Sequence, residues 1–256
     1  MEDTVPEELR RFFAENPRPA LAFSGGTDSA YLLYAALKCG ADVKAYCVKS
    51  QFQPRSETAY AAETAEILGC DLRVLEMDML SDAGISSNPP DRCYRCKLSL
   101  FGAIKRAAAE DGRNTVVDAT NASDDPAERP GMKALEEMGM LSPLRMCQMS
   151  KSDIRELSRR AGLRTWDLPS DSCLATRIPA GTPLTAENLL RTEEAERRAR
   201  MLGLSDFRIR TRGDSAYVEI RDSQVDLLRK IRPELERMLS EYYEGKTEYG
   251  RKEPST

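Results

Sequence analysis

The amino-acid sequence predicts an α/β fold, in which a parallel sheet covered by helices precedes a small α+β C-terminal domain. Apolar runs alternate with helical patterns over residues 21–119, and this alternation implies right-handed crossovers and a parallel sheet. The first apolar run ends in Ser24-Gly25-Gly26, and a helical pattern follows at once. Beyond Pro183 the pattern becomes helix, two strands and helix. Because Gly213-Asp214 joins the two strands, they are expected to form a hairpin rather than another crossover.

The elements of the first domain, residues 1–180, follow from these patterns in order. After the apolar run at 21–23 we predict helices at 29–38, 56–68, 97–110 and 151–161, strands at 42–48, 71–75 and 115–119, and a loop at 81–92. Gly40, Gly69 and Gly162 are placed to end three of the helices, and Ser150 is suited to cap the last of them. A ligand is expected beyond the carboxyl ends of the strands, where residues 24–29 fall.

The second domain, residues 181–256, is expected to be small and to mix helices with an antiparallel hairpin. We predict helices at 186–202 and 223–242 and strands at 207–212 and 216–221. The tail from Gly245 is polar, so we expect it to fray.

Composition bounds the class of protein. A chain of 256 residues with 41% hydrophobic and 31% charged residues can bury a full core. No apolar run approaches the roughly 20 residues of a membrane span, and the first residues lack a secretion signal, so we expect a cytoplasmic protein without a membrane partner. The net charge of −4 supplies no global field to gather nucleic acid, which is therefore not an expected partner.

Cysteine and histidine usage narrows the chemistry. The chain has seven cysteines and no histidine. An odd set of cysteines without an export signal argues against a disulfide framework and for thiol or metal chemistry. Without imidazole, the reaction must rely on Cys, Asp, Glu, Lys and Arg side chains.

The Ser24–Ser29 loop predicts a phosphate site. Two glycines let the backbone turn sharply and present amide N–H groups to an anion, and the following helix adds its positive dipole end. Ser24 and Ser29 can add hydroxyl donors, and Asp28 can hold Mg²⁺ on the same phosphates. Neither a Walker lysine nor the spaced glycines of a dinucleotide fold are present. The alternative is an ordinary Ser-Gly-Gly turn, which six matched positions between strand and helix disfavour.

The loop resembles the SGGxDS signature of the PP-loop ATP pyrophosphatases. That resemblance implies a Rossmann-like parallel sheet of the PP-loop, adenine nucleotide alpha hydrolase-like, type. It also implies an enzyme that splits ATP between its α- and β-phosphates and adenylates a carbonyl or carboxylate oxygen.

A second pattern, Cys93-Tyr94-Arg95-Cys96, stands at the start of a predicted helix. Two thiols at this spacing can share one metal or form a local disulfide. Cys173, in a loop of small and charged residues, is the best third ligand. Three thiolates with one open position suit a [4Fe–4S] cluster, while zinc and uncoordinated thiols remain alternatives on spacing alone. Of the other cysteines, we expect Cys39, Cys47 and Cys70 in the core. Cys147 has no assignment.

Four further strings extend the resemblance over most of the chain, namely 118–125 (DATNASDD), 129–131 (RPG), 141–144 (LSPL) and 173–179 (CLATRIP). In this order behind SGGTDS, they resemble the LarE family. Its members are PP-loop sulfur transferases that help to make the nickel-pincer nucleotide cofactor of lactate racemase. The resemblance implies that ATP activates a carboxylate of pyridinium-3,5-dicarboxylic acid mononucleotide as an acyl adenylate, and that the activated carbonyl accepts sulfur from a sulfide or another sulfur donor.

The family has two ways of supplying that sulfur. In one branch a single cysteine, matching Cys173, gives up its own sulfur and becomes dehydroalanine. In the other, three cysteines hold a [4Fe–4S] cluster that can carry an extra sulfide. Because Cys93 and Cys96 accompany Cys173, the chain resembles the cluster branch.

Residue roles are carried over from the resemblance. Catalytic roles fall to Cys173, Asp28 and Arg177, the last by pairing with a substrate phosphate or carboxylate. The phosphates and Mg²⁺ are expected on Ser24, Gly25, Gly26, Asp28 and Ser29, the adenine near Val48, and the acyl adenylate near Asn121, Asp124 and Arg129. Since family members are homo-oligomers, a neighbouring subunit's site is expected opposite Glu196, Arg208, Arg210 and Glu219. Plain turn residues are the alternative for Asn121 and Asp124, and a solvated charged face is the alternative for the last four.

Three other functions compete with this reading. A tRNA thiolase of the 2-thiocytidine type also joins a PP-loop to CxxC and a distant cysteine, but an RNA substrate calls for basic surface and stacking aromatics, and this chain is acidic with 6% aromatic residues. Ammonia-using PP-loop ligases give CxxC no role. A non-catalytic nucleotide-binding protein would share the fold without releasing pyrophosphate from ATP.

Overall fold

A computed structural model describes residues 4–125, 131–168 and 172–252. A four-stranded sheet forms its centre, with strands β1 (Ala20–Ala22), β2 (Lys44–Lys49), β3 (Leu72–Glu76) and β4 (Val116–Val117). The strand order is β3-β2-β1-β4, and every pairing is parallel. The predicted parallel α/β sheet is confirmed.

Helices connect the strands and cover the sheet. Up to β4 these are α1 (Glu7–Glu15), α2 (Thr27–Lys38), α3 (Arg55–Leu68), α4 (Ala83–Ser86) and α5 (Arg92–Glu110). After β4 come α6 (Gly131–Glu137), α7 (Pro143–Met146) and α8 (Lys151–Arg160), then a 3-10 turn at Leu174–Arg177. Local sequence explains their ends: Gly69 ends α3 in a left-handed conformation with φ of 70°, and Ser150 caps α8 in a reciprocal capping box with Asp153.

Helix α5 begins five residues earlier than the sequence predicts. It starts at Arg92, and Asp91 separates it from the Pro89-Pro90 pair. The Cys93-x-x-Cys96 pattern therefore lies within its first two turns. The predicted loop before it contains the short helix α4, whose first N–H groups are capped by Asp82. The predicted strand at 115–119 shrinks to two residues because the chain there turns into the loop at the sheet's carboxyl edge.

A second sheet forms the C-terminal part of the chain. Helix α9 (Ala186–Met201) leads into β5 (Arg208–Arg212) and β6 (Ser215–Ile220), which form the predicted antiparallel hairpin. A 3-10 turn (Asp222–Gln224), helix α10 (Val225–Leu239) and strand β7 (Thr247–Arg251) follow.

The expectation of a frayed tail is wrong. Strand β7 pairs with β6 in parallel along residues 247–251. Its polar sequence suits an edge strand, and the next residue, Lys252, is 4% exposed and ion-paired with Asp206. Although the tail is polar, backbone pairing with β6 and the ion pair between Lys252 and Asp206 hold it in place.

Helix α9 contacts the cores of both parts of the chain. Near its start, Leu189 packs in an apolar cluster with Phe52 and Leu174. Two turns later, Ala195 and Ala199 lie in the core of the second sheet. Within the described ranges, none of the helices has the length and apolar character needed to cross a bilayer.

We predict that a chain ending at Gly245 is less stable than the whole chain. It lacks β7 and leaves Asp206 without its buried lysine partner, a loss of about 2 kcal/mol or more. For a chain of this size that lowers Tm by about 4–8 °C in calorimetry. A chain ending at Lys252 keeps the strand and is the control, with an unchanged Tm expected. Equal Tm values for the two truncations would contradict the pairing of β7.

Candidate active site

A cavity of about 400 Å³ opens at the carboxyl edge of the parallel sheet. Among the residues predicted to bind nucleotide, it is lined by Ser24, Gly26, Asp28, Ser29, Val48, Asn121 and Asp124. They come from the loop and helix start after β1, from the carboxyl end of β2 and from the loop after β4, and these three strands are neighbours in the sheet. The structure therefore brings together most of the nucleotide residues that the sequence singles out, while Arg129 lies outside the described residues.

The glycine loop is shaped by its packing against α3. Gly25 has φ of 79°, and a Cβ on it would lie 2.8 Å from the Cα atom of Ala61. Gly26 is the N-cap of α2. The Ser24 hydroxyl accepts from the Gly26 N–H at 3.4 Å and lies 3.2 Å from the Ser29 hydroxyl. The loop thus places two hydroxyls and the first N–H groups of a twelve-residue helix on one side, as an anion site requires.

Asp28 is paired with a lysine that the sequence analysis did not select. Its Oδ2 lies 2.5 Å from the Nζ atom of Lys151, at the start of α8. Its Oδ1 is buried and, within the described part of the chain, accepts no hydrogen bond. A buried acceptor without a donor is costly, and it is suited to a cation such as Mg²⁺.

The loop after β4 is pinned by its own side chains. The Asn121 N–H donates to Asp124 Oδ2 at 3.0 Å, and both residues are buried. Deeper in the cavity, burial raises the pKa of Asp118, although the hydroxyls of Ser142 and Thr120 donate to its carboxylate and lower that pKa. This arrangement makes the loop rigid before any ligand binds.

Lys97 is the second cavity residue that the sequence analysis missed. It follows Cys96 in α5, lines the cavity, and acts electrostatically on Asp118. Its position beside the CxxC pattern was a usable signal. The pairing of Lys151 with Asp28 spans 123 residues, and no local pattern indicates it.

The three predicted thiols are not among the residues that line the nucleotide cavity. Cys96 and Cys173 both pack on the apolar cluster that contains Leu174. Burial, followed by the charges of Cys173 and Cys93, raises the pKa of Cys96 to about 12. Burial also raises the pKa of Cys173, while a backbone hydrogen bond from Ala175 and the charge of Arg92 lower it.

In the described ranges, no group of three or more His, Cys, Asp or Glu side chains is arranged to hold a metal ion. The charges of Cys173 and Cys93 nevertheless act on the pKa of Cys96, so the three residues belong to one region. Three thiolates are a donor set that a [4Fe–4S] cluster accepts.

Arg177 is engaged by protein groups rather than exposed to a ligand. It is 1% exposed, and its guanidinium donates to both carboxylate oxygens of Glu196 at 2.9 and 3.2 Å. It also donates to the Ser172 carbonyl at 2.8 Å, beside Cys173. The expected pairing of Arg177 with a substrate anion is thus corrected to a contact that holds the Cys173 loop.

Glu196 is likewise inside the chain and does not face a neighbouring subunit. Besides Arg177, it accepts from the Ile209 N–H at 3.0 Å. Arg210 pairs with Glu219 at 2.8 Å and donates to the Thr176 carbonyl at 2.6 Å. Of the four charged residues predicted to face a partner, Arg208 and the Arg210–Glu219 pair keep partial exposure.

Known proteins resemble the chain well beyond the glycine loop. A family model described as queuosine biosynthesis protein QueC matches residues 20–123. An uncharacterized protein of Synechocystis is 34% identical over 220 residues, covering 86% of this chain and 82% of that protein. The pyridinium-3,5-bisthiocarboxylic acid mononucleotide synthase of Lactiplantibacillus plantarum is 34% identical over 210 residues, covering 81% and 76% respectively. An uncharacterized protein of Methanocaldococcus jannaschii is 28% identical over 228 residues, covering 89% and 86%.

Gly25→Ala is expected to lower the affinity for ATP at least ten-fold, measured by calorimetric titration. The added Cβ meets the backbone of α3, so the loop must shift in addition to bearing the strain of a positive φ, about 1–2 kcal/mol. Gly40→Ala is the matched control, because its φ of 74° imposes the same strain where nothing lies within 4 Å. Equal ATP affinities in both variants would show that the shape of the loop does not matter.

Proposed function

Because the chain belongs to the LarE family of PP-loop sulfur transferases, we propose that it converts the carboxylates of pyridinium-3,5-dicarboxylic acid mononucleotide into thiocarboxylates. The product serves the nickel-pincer nucleotide cofactor of lactate racemase. The chain is an ATP-dependent sulfur transferase. The observation that carries the assignment of the site is that the glycine loop, Asp28, Lys151 and Lys97 line one cavity, with the thiols of α5 beside it.

The first step is adenylation. A carboxylate oxygen of the substrate attacks the α-phosphorus of ATP, the bond from that phosphorus to the bridging oxygen breaks, and pyrophosphate leaves with the electron pair. The loop N–H groups and Lys151 stabilise the charge that develops on the phosphates. Asp28, through its free Oδ1, would hold Mg²⁺ on the same phosphates. Asn121 and Asp124 would keep the adenylate in place near Val48.

The second step is sulfur transfer. A sulfur nucleophile attacks the activated carbonyl carbon, AMP leaves, and a thiocarboxylate remains. Cys93, Cys96 and Cys173 would hold a [4Fe–4S] cluster, which when bound supplies an iron position that can carry sulfide from an external donor. Lys97, which directly follows Cys96, lines the cavity and so connects the CxxC pattern to it in the chain.

A different sulfur source is the second candidate, since Cys173 is present in both branches of the family. Its thiolate would attack the activated carbonyl carbon, the bond to the AMP oxygen would break, and AMP would leave a thioester behind. Loss of the Cα proton and cleavage of the Cβ–S bond would then release the thiocarboxylate and leave dehydroalanine. Burial raises the pKa of Cys173, which disfavours its free thiolate as the nucleophile.

We further propose a cytoplasmic homo-oligomer in which residues 1–180 form the ATP domain and residues 181–256 support the site and the contact between subunits. Arg208, Arg210 and Glu219, which keep partial exposure, are the residues available for such a contact. Neither a membrane nor nucleic acid is required by this function.

Cys173→Ala should separate the two steps. With the dicarboxylic substrate, the variant is expected to release pyrophosphate from ATP within about three-fold of the parent rate, because no cavity group changes. Thiocarboxylate, measured by mass spectrometry of the nucleotide product, should fall at least 100-fold. Cys39→Ala, on a cysteine remote from the site, should retain both activities. Substrate-independent pyrophosphate release, or thiocarboxylate formation by Cys173→Ala, would contradict the proposal.

A further inference from the structure

We propose that Asn88 and Arg92 are positioning residues that hold the Cys173 loop against the CxxC helix. Through them, the three thiols are set in place by the chain itself before any metal or substrate binds. The inference rests on the proposed function for the use of the thiols, but not for their positions. Neither residue lines the nucleotide cavity.

Asn88 joins two segments that are about 90 residues apart in sequence. It is fully buried, and its side-chain amide donates to the carbonyls of Pro179 at 2.8 Å and Thr182 at 2.9 Å. Its own backbone carbonyl accepts from the Gly181 N–H at 2.8 Å. A single buried side chain therefore ties the segment before α5 to the turn that follows Cys173.

Arg92 continues this connection into the thiol site. One guanidinium nitrogen donates to Asn88 Oδ1 at 2.5 Å and to the Ala175 carbonyl at 2.9 Å. Arg92 directly precedes Cys93, and Ala175 is two residues beyond Cys173. Arg92 thus connects the two segments that carry the thiols. It stands next to Cys93 and donates to a carbonyl two residues beyond Cys173.

The backbone conformation at position 88 favours asparagine, and the segments that Asn88 joins also pack against each other. Its φ of 58° lies in the left-handed region, which asparagine tolerates better than most residues. The segments that it joins contribute Ile85, Leu174 and Ile178 to one apolar cluster. Apolar contacts alone would hold these segments loosely in register, whereas hydrogen bonds to named carbonyls fix their offset.

Arg95 provides a matched control on the same helix. It is one turn beyond Arg92, its carboxylate partner at 2.8 Å is Asp91 of the same segment, and its side chain is about half exposed. Replacing it changes the charge beside the CxxC pattern without touching the Cys173 loop. Asn88→Gly is the complementary variant, because glycine accepts a positive φ and only the amide is lost.

The test measures thiol proximity in the full-length, metal-free protein. The reduced chain, with chelator and without ATP or substrate, is treated with dibromobimane, which bridges two nearby thiols, and the linked peptides are quantified by mass spectrometry. In the parent we expect Cys173 to be linked to Cys93 or Cys96. The Cys93–Cys96 link within α5 is the internal reference for reactivity.

Arg92→Leu and Asn88→Gly are expected to lower the Cys173 link at least five-fold relative to the reference, and Arg95→Leu should leave it unchanged. ATP affinity should stay within about two-fold in all three variants, which a general folding defect would not allow. If Asn88→Gly does not fold, Arg92→Leu carries the test. A parent without the Cys173 link, or variants that retain it, would overturn the positioning role. If sulfur transfer is lost while the Cys173 link remains, that result would contradict the proposed function and leave the positioning role in place.

Discussion

The close contact between Gly25 and helix α3 is the constraint on which the rest of the site depends. At this contact the loop lacks room for a side chain, since a Cβ would meet the backbone of Ala61. The tight turn aims the start of α2 into the cavity and sets Asp28 opposite Lys151. Because β2 and β4 flank β1 in the sheet, Val48 at the end of β2 and Asn121 in the loop after β4 reach the same opening.

The sulfur chemistry depends on a second arrangement that is adjacent to the first and built differently. Cys93 and Cys96 are on the first turns of α5, whereas Cys173 belongs to a loop held by Arg177 and Glu196 from the C-terminal part. One buried ion pair, between Arg177 and Glu196, thus connects the C-terminal part of the chain to the loop that carries Cys173. Removing one partner of such a pair costs about 3–5 kcal/mol, so the attachment of the loop depends on both residues.

Local pattern was sufficient to predict the sheet, most helix positions and the hairpin, because apolar periodicity and glycine stops are properties of short segments. It also placed the Ser24–Ser29 loop at the ligand edge, since a parallel sheet binds ligands at the carboxyl ends of its strands, whereas the resemblance to the family selected Val48, Asn121 and Asp124. Local pattern did not predict contacts between residues that are far apart in the sequence. The Lys151–Asp28 and Arg177–Glu196 pairs join residues that no local spacing relates, and β7 is recognised only once β6 offers an unpaired edge. Helix α5 starts at Arg92, whose side chain donates to the distant Ala175 carbonyl, a partner that no local spacing indicates.

We propose that three cysteines of this chain hold an iron–sulfur cluster for repeated sulfur transfer. The most direct measurement is iron and acid-labile sulfide content, with an absorption spectrum, after anaerobic purification of the parent and of Cys173→Ala. We expect about four irons per chain and a broad absorption band at about 400 nm in the parent, and we expect the variant to lose both. A colourless, iron-free parent that loses one sulfur from Cys173 after a single turnover would contradict it.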